Sequence, residues 1–143
     1  MNLLVVDLSL LIVRVIVGVI FFVHGAQKLF GAFGGFGLSQ TKEMMGAVLG
    51  FLVAIGECLG GVGIIFGFLS RFSAAANIVI MIGAIAMVHG QNGFLLSDNG
   101  FEYNLALIGL LTPILLVGPG RFTIGRFFLP KSSRTGMTFL ALE

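Results

Sequence analysis

Four apolar stretches follow one another along the chain, at about residues 8–23, 46–69, 73–88 and 103–117. A helix that crosses a bilayer needs about 20 largely apolar residues, and each stretch reaches that length by itself or with its flanking residues. Because lipid offers the backbone no hydrogen-bond partner, helices are the predicted elements. The short alternating segments of a membrane barrel are not seen. The pattern therefore predicts an all-α, integral membrane four-helix up-and-down bundle.

Composition supports a membrane protein, since 57% of the residues are hydrophobic and only 10% are charged. A soluble domain carries about 25% charged residues. This excludes an ordinary soluble globular protein, and the net charge of +2 is too small to indicate a nucleic-acid partner. We predict one transmembrane domain over residues 1–130, embedded in the lipid bilayer, and a cytoplasmic C-terminal tail over residues 131–143.

The basic residues predict the orientation of the bundle. In a four-helix bundle, both chain ends and the loop between the second and third stretches lie on one side. Basic residues are more frequent on the cytoplasmic side of membrane proteins, so we expect both termini in the cytoplasm. The side with the chain ends carries Arg71, Arg121, Arg126, Lys131 and Arg134, and the opposite side carries Lys28 and Lys42.

Two charged residues lie inside the apolar stretches, Arg14 in the first and Glu57 in the second. An unpaired charge at the membrane centre costs at least about 2.5–3.5 kcal/mol. Two antiparallel helices place these residues within roughly one turn of each other in depth. We therefore predict an Arg14–Glu57 ion pair, which either fixes the helix register or also serves a ligand or a proton path.

A second polar group gathers where three stretches end on the same side of the membrane. Histidine exchanges protons near neutral pH, and an apolar pocket with a few convergent polar groups is the usual small-molecule site. A quinone head group or an anion fits such a site, whereas the lack of a His/Cys spacing motif disfavours a metal or haem. The residues expected to converge are His24, Gln27, Lys28, His89, Gln91, Glu102 and Tyr103.

Glycine is abundant, with 22 residues, and the second stretch holds Gly56–Gly60 and Gly63–Gly67 at four-residue spacing. Small residues at that spacing let helices approach closely in lipid. We favour tight packing inside the bundle, and a homo-oligomer formed through this glycine-rich helix is the second interpretation. The segment 31–37 is expected to be a flexible or re-entrant connection.

The chain resembles the DoxX family of small bacterial and archaeal four-helix membrane proteins. The resemblance covers roughly residues 10–125. Family members usually continue the Gly-Pro-Gly turn with a Ser-x-Asp-like stretch, whereas here Phe122-Thr123-Ile124-Gly125-Arg126 contains no Asp. The matching pieces are Arg14, the helix exit His24-Gly25-Ala26-Gln27-Lys28-Leu29-Phe30-Gly31, Glu57 with Leu59-Gly60-Gly61, Arg71, and Gly118-Pro119-Gly120-Arg121.

The resemblance implies a quinone-linked subunit of a redox complex in the bacterial or archaeal inner membrane, with a soluble redox protein as partner. The chain has no nucleotide, flavin or iron–sulfur motif, so the electron carrier is quinone or belongs to the partner. Whether the chain is an enzyme by itself stays open. A non-catalytic anchor or assembly subunit is the alternative, and a small-solute carrier ranks third. The expected catalytic residues are His24, Lys28 and His89, and the expected ligand-binding residues are Arg14, Gln27, Glu57, Glu102 and Tyr103.

Overall fold

The computed structural model describes residues 3–124, and this part of the chain contains helices and no strand. The prediction of an all-α protein is confirmed. Several predictions concern residues outside this described part. They are the tail over residues 131–143, the last residues of the predicted domain, and the basic residues Arg126, Lys131 and Arg134. The α-helices are α1 (Leu3–Phe30), α2 (Gly37–Met45), α3 (Ala47–Phe66), α4 (Ser70–Ala84) and α5 (Glu102–Val117).

Three helical segments in the described part are long and apolar enough to cross a membrane: Leu3–Phe30, Ala47–Phe66 and Ser70–Asn92. The third extends α4 through a π-helical turn at Ile85–His89 and a 3-10 turn at Gly90–Asn92. Helix α5 is apolar but has only 16 residues, fewer than the about 20 that a full crossing needs. The chain is a membrane protein, and the predicted count of four crossing helices holds only approximately.

The long helices form a ring in which each packs against two neighbours. Helix α1 packs most extensively against α3, α3 packs against α4, α4 against α5, and α5 closes the ring against α1. The apolar core lies inside this ring, and the remaining apolar side chains point outward, as expected where lipid is the solvent. The buried core residues are Val17, Phe21, Ile64, Ala74, Met81, Leu107, Leu111 and Ile114.

Glycines allow the close contact between α1 and α3. A Cβ atom added at Gly25 would lie 2.2 Å from the backbone nitrogen of Cys58, and one at Gly61 would lie 2.4 Å from the backbone nitrogen of Phe22. Such distances leave no room for any side chain, so the two backbones touch directly, as small residues permit in membrane helices. These glycines therefore pack inside the bundle.

The connection between α1 and α3 contains a short helix that the sequence pattern did not predict. Helix α2 turns Leu38, Thr41 and Met45 inward, and the Thr41 hydroxyl donates to the backbone oxygens of Lys28 (3.2 Å) and Gly37 (2.8 Å). The segment 31–37, expected to be a flexible or re-entrant connection, contains a 3-10 turn at Ala32–Gly34 and leads into α2 at Gly37. Helix α2 lies across the ends of α1 and α3, at the end of the bundle that we call the His24 end. The opposite end is called the Arg14 end.

Candidate functional site

Lys28 and Glu57 form an ion pair between α1 and α3, with 2.5 Å between Lys28 Nζ and Glu57 Oε2. The Glu57 side chain is only 4% exposed, whereas that of Lys28 is 29% exposed. A buried carboxylate needs such a partner because its charge loses hydration inside the bundle. Because Thr41 bonds to the Lys28 carbonyl, α2 fixes the end of α1 that carries this lysine.

The predicted Arg14–Glu57 ion pair is wrong. The Arg14 guanidinium is buried, and its partners among residues 3–124 are all backbone oxygens: Ile64 (2.9 Å from Nε), Ile65 (2.9 Å from Nη2), Phe122 (3.0 Å from Nη1) and Pro119 (from Nη1). Carbonyls in the last turn of a helix have no partner within the helix. Arg14 supplies partners at the end of α3 and joins that helix to the segment after α5.

A second ion pair strengthens this junction at the Arg14 end. Asp7 Oδ1 accepts a hydrogen bond from the Arg121 backbone N–H at 3.0 Å, and Asp7 Oδ2 lies 3.1 Å from Arg121 Nε. A Cβ added at Gly120 would lie 3.1 Å from Asp7 Oδ1, so the glycine leaves room for the carboxylate. The Gly-Pro-Gly-Arg segment and Arg14 therefore build a structural junction.

The rings of His24 and Tyr103 face each other between α1 and α5. Their centroids are 6.2 Å apart and their planes meet at 64°, an edge-to-face arrangement. Both residues are half-buried. Within residues 3–124, neither the His24 ring nitrogens nor the Tyr103 hydroxyl has a hydrogen-bond partner. The pair thus offers polar atoms on two rings with nothing in the described part of the chain to satisfy them.

His89 and Glu102 lie in and beside the loop that joins α4 to α5. His89 Nδ1 lies 2.8 Å from the Asn99 oxygen, and because a carbonyl only accepts, Nδ1 carries the proton in the neutral ring and Nε2 stays an acceptor. Glu102 Oε2 accepts the Leu96 backbone N–H at 2.9 Å. These bonds order the loop and hold His89 with one ring nitrogen available.

The predicted convergence at the His24 end is thus resolved into smaller groups. The structure joins His24 to Tyr103 and joins Lys28 to Glu57, which was expected to pair elsewhere. Gln27 donates to the Phe33 oxygen at 3.3 Å and Gln91 to the Val88 oxygen at 3.5 Å. Their contacts are local, so these two amides support the neighbouring turns.

Sequence reasoning did not single out the buried polar residues of α4 and α5. Asn77 is fully buried, and its amide donates to the Ser73 oxygen at 2.9 Å. Asn104 is also buried, with its amide 3.5 Å from the Met81 sulfur. A lone asparagine inside an apolar stretch was the available signal, because such a residue seldom faces lipid.

Comparison with known proteins assigns the chain to a family. The DoxX family profile matches residues 9–90. The chain belongs to the DoxX family. It is 33% identical over 136 residues to Putative oxidoreductase CatD of Bacillus subtilis (strain 168), covering 91% of this chain and 93% of that protein. It is 30% identical over 128 residues to Inner membrane protein YqjF of Escherichia coli (strain K12), covering 87% of this chain and 95% of that protein. No solved structure matches the chain.

The residues that carry the resemblance to the DoxX family lie in two different parts of the structure. Lys28 and Glu57 lie at the His24 end, where they pair across α1 and α3. Arg14 and the segment 118–121 meet at the other end in the junction with α3. The matching residues therefore lie partly in a candidate site at one end of the bundle and partly in a structural junction at the other end.

Proposed function

We propose that this DoxX protein is an inner-membrane subunit of a redox system and binds a quinone, or a related small ring compound, beside His24 and Tyr103. The observation that carries the proposal is the facing pair of rings whose nitrogens and hydroxyl lack partners within residues 3–124. These atoms fit the carbonyl and hydroxyl oxygens of a quinone head group. When bound, the quinone supplies the two-electron redox chemistry for which the described side chains have no group of their own.

The residues around the ring pair have distinct roles in this proposal. The Tyr103 hydroxyl donates to a ligand oxygen, and the His24 ring donates or accepts a proton at the second polar position. Lys28 follows His24 by four residues on the same side of α1 and carries the positive charge that attracts an anionic or reduced ligand. Glu57 holds that ammonium in place.

His89 connects this site to water in the proposal. Its Nδ1–H is committed to Asn99, so Nε2 is the nitrogen that takes up and releases a proton. Glu102 and Gln27 hold the surrounding turns through Leu96 and Phe33. Proton transfer by a positioned histidine is a common catalytic contribution.

The proposed protein works beside a redox partner, which supplies or receives the electrons. The similar B. subtilis protein is named as an oxidoreductase, and the present sequence contains no nucleotide, flavin or iron–sulfur motif. Both termini face the cytoplasm in this proposal. Self-association through the glycine-rich helix α3 is a secondary element of it.

The test is purification of the full chain from native membranes in mild detergent, followed by extraction and quantification of bound quinone and identification of co-purifying proteins. We expect quinone with the wild-type chain and its loss from His24→Ala and Tyr103→Phe. Two matched controls should retain it. Thr112→Val removes another hydroxyl of α5, one that bonds to the Ile108 oxygen, and Gln91→Ala removes an exposed amide at the same end of the bundle.

Other outcomes identify the alternative functions. A redox partner without quinone would favour a non-catalytic anchor, and the chain alone, with neither, would favour a small-solute carrier. Quinone that stays bound in both site variants would show that the ring pair is not the site.

A further inference from the structure

A groove of about 790 Å³ lies between α3 and α4. Its volume is in the range of small-molecule sites, about 300–1,000 Å³. The residues around it are almost wholly apolar, and they include Ile124, which follows the end of α5. Its lining consists of Ile55, Gly56, Leu59, Gly60, Val62, Gly63, Phe66, Phe68, Leu69, Phe72, Ser73, Ala76 and Ile124.

Glycines of α3 border this groove and let side chains of α4 approach the α3 backbone closely. A Cβ added at Gly60 would lie 2.3 Å from Asn77 Nδ2, and one at Gly63 would lie 2.8 Å from Ser73 Oγ. Gly61, the next residue after Gly60, faces α1 instead. The groove therefore lies on a different side of α3 from the α1 contact that contains the Lys28–Glu57 pair, and it is separate from the proposed quinone site.

The base of the groove holds one polar atom that needs a partner. Ser73 is 6% exposed, lines the groove, and its hydroxyl forms no hydrogen bond with any residue between 3 and 124. On the same face of α4, three residues before and four residues after it, Ser70 Oγ and Asn77 Oδ1 are fully buried and also lack partners. A serine in a membrane helix usually bonds to a neighbouring carbonyl or to a facing helix, so the unpaired Ser73 hydroxyl indicates a ligand.

No charged side chain is among the described residues that line the groove. Arg14 bonds to four backbone oxygens, and Arg71 donates to the Leu116 oxygen of α5 at 3.3 Å. An anionic head group in the groove would have no counter-charge among its lining residues, which is unfavourable in an apolar surrounding. The occupant is therefore neutral, long and apolar, with one hydrogen-bonding group.

We propose that the groove binds a neutral, chain-like lipid whose single alcohol group pairs with Ser73 Oγ. The apolar walls of α3 and α4 accommodate the chain, and the hydroxyl at the base selects the polar group. An ordinary hydrocarbon chain of the bilayer would fill the same space without satisfying Ser73. Recognition of the polar group thus distinguishes a binding site from a surface covered by bulk lipid.

The test uses the full chain in phosphatidylcholine nanodiscs with hexadecanol that carries a photoreactive diazirine in its chain. After illumination, labelled residues are mapped by mass spectrometry, and unlabelled hexadecanol and hexadecane compete for the site. We expect label on Leu59, Phe66 and Phe72, with the alcohol competing better than the alkane. Ser73→Ala should weaken alcohol competition about tenfold, the loss expected for one hydrogen bond, and should remove the difference between the two competitors.

Two tryptophan variants of α4 form a matched pair. Ala76→Trp fills the groove from its lining and should abolish the label, whereas Val79→Trp, at a 68% exposed position outside the groove, should leave it unchanged. If Ala76→Trp does not fold, the competition result with Ser73→Ala still decides. Label spread evenly over lipid-facing residues would overturn the proposal. So would a cross-linked dimer sensitive to Ala76→Trp in the absence of lipid label, because the groove would then hold a second copy of the chain.

Discussion

Lys28 and Glu57 pair across the most extensive helix contact of the bundle, and the two partners differ in exposure. The carboxylate is almost completely buried, whereas the ammonium is partly exposed at the end of α1. Removing either partner leaves the other charge unpaired, but the cost differs because an exposed charge keeps much of its hydration. The pair is therefore asymmetric in its contribution to stability.

Lys28→Met is expected to be the more damaging single substitution, since it leaves the buried Glu57 carboxylate without its partner. Loss of one partner of a buried pair costs about 3–5 kcal/mol. Glu57→Gln leaves only the partly exposed Lys28 unpaired and should cost clearly less. The double variant should be more stable than Lys28→Met alone. Thermal unfolding in detergent measures all three, and a double variant as unstable as the sum of the singles would contradict the pairing.

Arg14 is expected to be essential for stability because its guanidinium satisfies carbonyls at the end of α3 and after α5. Arg14→Met leaves these oxygens unpaired and should destabilise the protein by at least about 3 kcal/mol, as estimated for breaking buried charged interactions. Arg14→Lys should recover part of the loss, because an ammonium keeps the charge but not the planar array of donors.

Arg71→Met is the matched control for the Arg14 substitutions. Arg71 makes one long hydrogen bond of 3.3 Å and is only half-buried. Its replacement should change stability by less than about 1 kcal/mol. Equal losses for Arg14→Met and Arg71→Met, measured by thermal unfolding, would show that the junction at the Arg14 end contributes little.

Gly25→Ala should disrupt the α1–α3 contact. Its added methyl would lie 2.2 Å from the Cys58 backbone nitrogen, so the two helices have to separate. Gly109→Ala adds the same methyl on α5 where nothing lies within 4 Å, and it should be neutral or stabilising by up to about 1 kcal/mol. The comparison of the two melting temperatures tests whether the close helix contact is as important as the packing suggests.

The apolar pattern was sufficient to predict the helical membrane fold, but it was not sufficient to predict the register between the helices. Placing Arg14 beside Glu57 depended on where the helices begin and end. The close contacts set the register instead: Gly25 lies against Cys58, and Gly61 lies against Phe22. Glu57, next to Cys58, is therefore level with Gly25, about one turn from Lys28, whereas Arg14 lies 11 residues before Gly25, or about 16 Å away along α1. The charge that Glu57 meets is Lys28.

The candidate site was only partly predictable, for a related reason. The sequence shows that His24 and Tyr103 leave the membrane on the same side, and the structure places their rings in contact. The sequence does not show which side of a helix faces a partner helix when that helix is apolar on all sides, as α3 and α4 nearly are. Ser73 and Asn77 became significant only once the packing of α4 against α3 was known.

The orientation of the bundle is a further prediction, derived from the distribution of basic residues. A chain with Cys58→Ala as background allows single cysteines to be introduced at exposed positions. Ser39 on α2 and Ser97 in the loop before α5 are exposed at the His24 end, whereas Leu3 is exposed at the Arg14 end. With the termini in the cytoplasm, Ser39→Cys and Ser97→Cys should react with a membrane-impermeant maleimide in intact cells, and Leu3→Cys only after lysis. The reverse pattern would place the proposed quinone site at the cytoplasmic face, where a soluble redox partner reaches it directly.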